Sequence, residues 1–146
     1  MIAFETRVQI DRPIDEVFAY VSDPLKFPHW NSAVQAVRKT SGGENGVNST
    51  YSMERDLPGG RAVNELEVVE SERPHEFAIR ATAGPTPFLY RYRFTTENGE
   101  TVVTLDAQVE LPRAAALLPA LARRAVSKGV DDNLATLKHV LEAARR

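Results

Sequence analysis

Five polar side chains fall on the apolar parity of alternating segments: Tyr51, Arg55, Asn64, Tyr90 and Tyr92. Counted in twos along their segments, they share a face with Met53, Leu66, Phe94 and Leu105. A few polar tips on an otherwise apolar face are what a small-molecule site uses to orient its ligand. The chemistry open to them is acid–base. A tyrosine could donate a proton to a developing enolate, and Arg55 could stabilise the charge. The structural use of the same residues stands beside it: tyrosines fill core volume and send the hydroxyl to a backbone group or water. The sequence assigns no catalytic residue.

Other chemistries find no support. There is no cysteine, hence no disulfide, thiolate metal site or thiol nucleophile. His29, His75 and His139 stand alone on different segments without metal-ligand spacing, so no metal is expected. No serine sits in a Gly-x-Ser-x-Gly elbow. The glycine-rich Gly42-Gly43-Glu44-Asn45-Gly46 lacks a phosphate-loop lysine and opens no helix, which makes it a connector. No cofactor is expected.

Charge and hydropathy narrow the partners. The formal net charge of −2 gives no global field for nucleic acid, and none is expected as a partner. No signal-peptide pattern opens the chain. The longest apolar run, residues 114–122, contains Pro119 and is too short for stable membrane insertion. A soluble cytoplasmic protein is the expectation. Arg123, Arg124, Lys128, Lys138, Arg145 and Arg146 make a basic helix face, but Asp131, Asp132 and Glu142 interrupt it, as on an ordinary solvated helix. Nothing sets an oligomeric state.

The elements that must position the five side chains are legible. Phe4, Thr6, Val8 and Ile10 alternate with charged or polar residues as a half-buried strand. Asp11 stands where an N-cap would, ahead of Pro13, and Ile14, Val17, Phe18 and Val21 keep helical spacing. Asp23-Pro24 restarts the chain as a second short helix or turn carrying Phe27 and Trp30, which would form either a lip over a cavity or a plug in the core. Residues 34–39 and 47–56 read as strands, Leu57-Pro58-Gly59-Gly60 as a turn, and two alternating runs follow through Leu66 and Ile79. Asn98-Gly99 suits a two-residue type I′ turn. It sets Phe94 opposite Val103, Tyr92 opposite Leu105 and Tyr90 opposite Ala107. From Leu117 onward, Leu118, Leu121, Ala125, Val130, Leu134, Leu137 and Leu141 read as one helical stripe. Gly129 inside it costs about 1 kcal/mol against alanine; it either serves a close approach to the sheet or a ligand, the reading favoured, or is simply tolerated.

In this order the segments resemble the SRPBCC superfamily, the START-like helix-grip fold. Within it the chain is most similar to the polyketide cyclase/dehydrase and lipid-transport group. The likeness rests on Pro13-x3-Val17-Phe18-x2-Val21-x-Asp23, Pro28-x-Trp30, Leu66-x-Val68-x5-Pro74, and the Asn98-Gly99 hairpin before the long helix. The resemblance implies a single α+β domain over residues 1–146. A seven-stranded curved antiparallel sheet would wrap a long C-terminal helix, with two short helices after the first strand. It carries no catalytic residue with it. It implies an apolar cavity of roughly 300–1,000 Å³ between sheet and helix. Tyr51, Met53, Arg55, Asn64, Leu66, Tyr90, Tyr92, Leu105 and Ala107 would line it from the sheet. Leu121, Val130, Leu134 and Leu137 would form its floor, with Phe27 and Trp30 at the mouth. The functions in view are binding of an apolar or aromatic, lipid- or polyketide-like molecule, a cofactor-independent cyclase, aromatase or dehydratase, and a protein–protein module.

Overall fold

The computed structural model describes residues 1–57, 59–111 and 117–144. Pro58 of the expected turn, residues 114–116 of the apolar run, and Arg145 and Arg146 of the basic face lie outside the described residues. The chain runs β1 (Ile2–Ile10), α1 (Ile14–Val21), a short 3-10 helix (Pro24–His29), β2 (Val34–Lys39), β3 (Thr50–Leu57), β4 (Gly60–Glu72), β5 (Glu76–Ala83), β6 (Phe88–Glu97), β7 (Glu100–Val109) and α2 (Pro119–Ala143). The strands form one antiparallel sheet in the order β1-β7-β6-β5-β4-β3-β2. Irregular register at Val34/Ala36, Glu65/Leu66 and Val68/Glu70 adds the local twist and bend that let the sheet curl.

The last hairpin follows from its turn. Asn98 and Gly99 take φ of 53° and 79°, the positive angles of a I′ turn. Glu97 then faces Glu100, and Phe94, Tyr92 and Tyr90 face Val103, Leu105 and Ala107. Phe94 and Val103 are buried on the concave side. Arg93 on the other face meets Glu5 and Asp106, each at 3.4 Å.

The first helix departs from the expected cap. Proline fixes φ near −65°, so Pro13, with φ −61° and ψ 147°, sets the entry into α1 by itself, and no side chain caps the helix. Asp11 turns back instead, its N–H donating to Glu142 Oε2 at 2.9 Å. The residues Val17, Phe18 and Val21 are buried, and Phe18 meets Phe94 edge-to-face with ring centroids 5.2 Å apart.

The long helix corrects the expected stripe. Val130, Leu134, Leu137 and Leu141 are buried, whereas Leu118 is 63% and Leu121 61% exposed, and Ala125 is exposed as well. The reason is angular. At about 100° per residue, the nine positions from Leu121 to Val130 rotate the helix by about two and a half turns. Leu121 therefore faces away from the buried row and forms no part of a cavity floor. Downstream, α2 is tied to β1 by Lys138 Nζ donating to the Gln9 carbonyl at 2.7 Å.

Gly129 also departs from expectation. A Cβ built there meets nothing within 4 Å, so no close approach requires glycine. Gly129→Ala should therefore raise stability by about 0.5–1 kcal/mol. Urea denaturation checks this, and a lower midpoint for the variant would contradict it.

Candidate functional site

Three strands and one turn bring the candidate residues together. On β3, Tyr51, Met53 and Arg55 point to the concave side; Leu66 of β4 pairs with Tyr51, and Asn64 with Met53. On β6, Tyr90 pairs with Ile79 and Tyr92 with Phe77 of β5. The 3-10 helix is capped by Asp23, whose Oδ1 accepts from the Leu25 N–H at 3.1 Å, and it ends on Trp30. Phe27 and Trp30 are both buried and meet edge-to-face with ring centroids 5.7 Å apart.

These groups enclose a pocket. Phe27, Trp30 and Asn31 cover it. Met53 and Arg55 of β3, Ile79 of β5, and Phe88, Tyr90 and Tyr92 of β6 form the rest of its wall. Its volume is about 40 Å³, room for roughly three waters. This is far below the expected size. The difference comes from the aromatic rings, which occupy the space themselves. Phe88 and Tyr90 lie 4.5 Å apart, Tyr90 and Tyr92 6.4 Å, and Trp30 closes the top.

The other expected lining residues sit elsewhere. Tyr51 is buried, and its hydroxyl donates to Asn45 Oδ1 at 2.6 Å, the structural use of a tyrosine. Leu66, Leu105 and Ala107 are packed into the core, as are Val130, Leu134 and Leu137 on the helix side, and none of them reaches the pocket wall. Asn64, 0% exposed, works as a brace. Its Nδ2 donates to the Ala83 and Pro85 carbonyls at 3.2 and 2.8 Å, and its Oδ1 accepts from Arg55 Nε at 2.9 Å. Arg55 Nη2 reaches the Pro85 carbonyl at 3.1 Å and the Thr86 hydroxyl. The connection between β5 and β6 is thereby fastened to Arg55.

Sequence reasoning left out Asn31, Ile79 and Phe88 as pocket residues. Ile79 was available from strand parity. Asn31 and Phe88 carry no pattern of their own, since one follows the 3-10 helix and the other begins β6.

The electrostatics favour donation. Burial pushes the Tyr90 hydroxyl up to about 12, opposed by the Arg55 charge. Burial raises Tyr92 as well, and Tyr90 adds to it. Both are neutral at physiological pH and can donate but not act as bases. Burial lowers Arg55 from a very high ordinary value, opposed by Tyr90, and a guanidinium keeps its proton. The Trp30 Nε1–H is buried without a hydrogen-bond partner among the described residues. Among those residues no group of three His, Cys, Asp or Glu side chains could hold a metal ion, and no helix is long and apolar enough to cross a membrane.

The family model described as polyketide cyclase / dehydrase and lipid transport matches residues 1–142. The chain belongs to that family. The START-like helix-grip architecture recurs in solved structures. The TTHA0849 protein of Thermus thermophilus superposes with a TM-score of 0.83 at 17% identity, covering 99% of this chain and 100% of that one. A START superfamily protein from Mycobacterium smegmatis gives 0.81 at 15% identity, covering 97% and 98%. The di-domain ARO/CYC BexL of the BE-7585A biosynthetic pathway gives 0.72 at 22% identity, covering 94% of this chain and 49% of that one. No curated protein matches in sequence. At such identities the structural likeness establishes the shared fold. In this member of the cyclase and lipid-transport family, the pocket under Trp30 is where the polar residues of the concave face meet apolar walls.

Proposed function

We propose that the protein binds an apolar small molecule, aromatic or lipid-like, in the pocket between Trp30 and the β5–β6 part of the sheet. The observation that carries this reading is the buried Trp30 Nε1–H, which has no partner among the described residues. An unsatisfied buried donor costs about 1–3 kcal/mol. A ligand oxygen placed beneath Trp30 would relieve that cost, while Phe27, Met53, Ile79 and Phe88 take the apolar body. A ligand larger than this volume needs the side chains around the pocket to move apart.

The test is a thermal-shift screen with aromatic polyketides, sterols and fatty acids, followed by native mass spectrometry of freshly purified protein. An apolar compound at about 100 times its Kd should add about 2.7 kcal/mol, on the order of 5–10 °C in Tm for a domain of this size. If no apolar compound shifts the protein and none co-purifies, the reading fails.

Cofactor-independent cyclisation, aromatisation or dehydration is the second reading. It draws on Tyr90, neutral and beside Arg55, the arrangement that would protonate an enolate oxygen and stabilise its charge. Two structural relatives, StfQ and BexL, are themselves di-domain ARO/CYC proteins. Turnover of a poly-β-ketone substrate that falls on Tyr90→Phe without loss of binding would put catalysis first.

A further inference from the structure

Several surface arginines of this protein are neutralised by carboxylates, and the pocket arginine is not. Arg12 pairs with Glu16, Arg80 with Glu67, Arg91 with Glu70, and Arg93 with Glu5 and Asp106. Half-buried Arg55 takes part in no ion pair among the described residues. Its Nε and Nη2 are spent on neutral oxygens of Asn64, Pro85 and Thr86. Its Nη1 makes no hydrogen bond within the described residues. A cation withdrawn from water without a counter-charge is unfavourable. Among the described residues no acidic side chain lines the pocket to supply one.

A second, independent observation lies in the same pocket. Trp30 is 4% exposed, and its indole N–H has no partner among the described residues. Guanidinium and indole nitrogens only donate. Tyr90 and Tyr92 also line the pocket, and no hydrogen bond engages their hydroxyls among the described residues. The pocket therefore offers donors and a positive charge within walls otherwise built by Phe27, Asn31, Met53, Ile79 and Phe88, with the Asn31 Oδ1 already accepting from the Ala33 N–H.

We propose that this pocket takes the anionic end of an apolar acid: a carboxylate whose oxygens accept from Arg55 Nη1 and Trp30 Nε1, with a hydrocarbon or aromatic body. The inference rests on the binding function proposed above and adds the headgroup to it. A carboxylate supplies the missing counter-charge and the missing acceptor in one group. Charge-assisted hydrogen bonds of this kind are about twice as strong as neutral ones.

Isothermal titration calorimetry at pH 7 tests it, using dodecanoate and naphthalene-2-carboxylate, each beside its methyl ester. The esters keep the body and lose the charge. At least one acid should bind about tenfold or more tightly than its ester. Arg55→Gln should bring the pair to similar affinity, the acid losing more than the ester. If that variant does not fold, Trp30→Phe replaces it and should weaken the acid more than the ester. An ester that binds the wild type as tightly as its acid overturns the anion inference and leaves the binding function standing. Failure of all four probes to bind overturns the anion inference, and the wider thermal-shift screen then decides the binding function.

Discussion

Replacing Trp30 with alanine should destabilise the protein by roughly 3–5 kcal/mol, the usual range for deleting a buried aromatic ring. The indole is buried, meets Phe27 edge-to-face, and closes the pocket above Tyr90 and Tyr92. Its loss would also free Phe27, the other apolar anchor of the 3-10 helix. One effect opposes the loss. The Trp30 N–H has no partner among the described residues, and removing it recovers part of about 1–3 kcal/mol. Trp30→Phe separates the two contributions, because phenylalanine keeps a ring and deletes the donor. It should cost much less than the alanine variant in urea denaturation. Indole added to Trp30→Ala should rebind in the vacated space and, at about 100 times its Kd, restore about 2.7 kcal/mol. A loss below about 1 kcal/mol for the alanine variant would mean that the turn is not seated on the sheet in solution.

The contrast between Tyr51 and Tyr90 shows how far the sequence reaches. Alternation with period two assigns both to the concave side, and both are there. Parity reports a face and says nothing about depth or neighbours. Tyr51 meets Asn45, on a connector whose path no periodicity encodes, and becomes core. Tyr90 lies beneath Trp30 and lines the pocket. The β6–β7 hairpin was fully legible because Asn98-Gly99 restricts φ locally and thereby sets every later pair. The stripe on α2 was legible only from Val130 onward. Steps of three or four residues look apolar all along the helix, but Leu121 falls on the opposite side once the angle is summed over its full length. Pocket volume was least legible of all. It is a small difference between the space the fold encloses and the aromatic rings within it. The braces on Arg55 belong to the same class, since they join β3 and β4 to a connection thirty residues away.

That connection carries the other large expected effect. Gly84→Ala should cost roughly 2–5 kcal/mol, combining backbone strain with overpacking. Gly84 has φ of +106°, outside the range that side-chain-bearing residues ordinarily adopt. A Cβ there would lie 2.3 Å from the Val63 carbonyl oxygen and 2.7 Å from Asn64 Nδ2. The first obstacle is strand backbone and cannot rotate aside. The connection would have to lift from β4, pulling the Ala83 and Pro85 carbonyls from Asn64 and the Pro85 carbonyl from Arg55. Gly43→Ala is the matched control. Gly43 has φ of +81°, and a Cβ there meets nothing within 4 Å. The control carries strain without the clash and should lose about 1 kcal/mol. Equal urea midpoints for the two variants would refute the close approach at Gly84. A large gap confined to Gly84→Ala would instead show that the close seat of the connection on β4 beside Asn64 sets where Pro85 and Thr86 meet the pocket arginine.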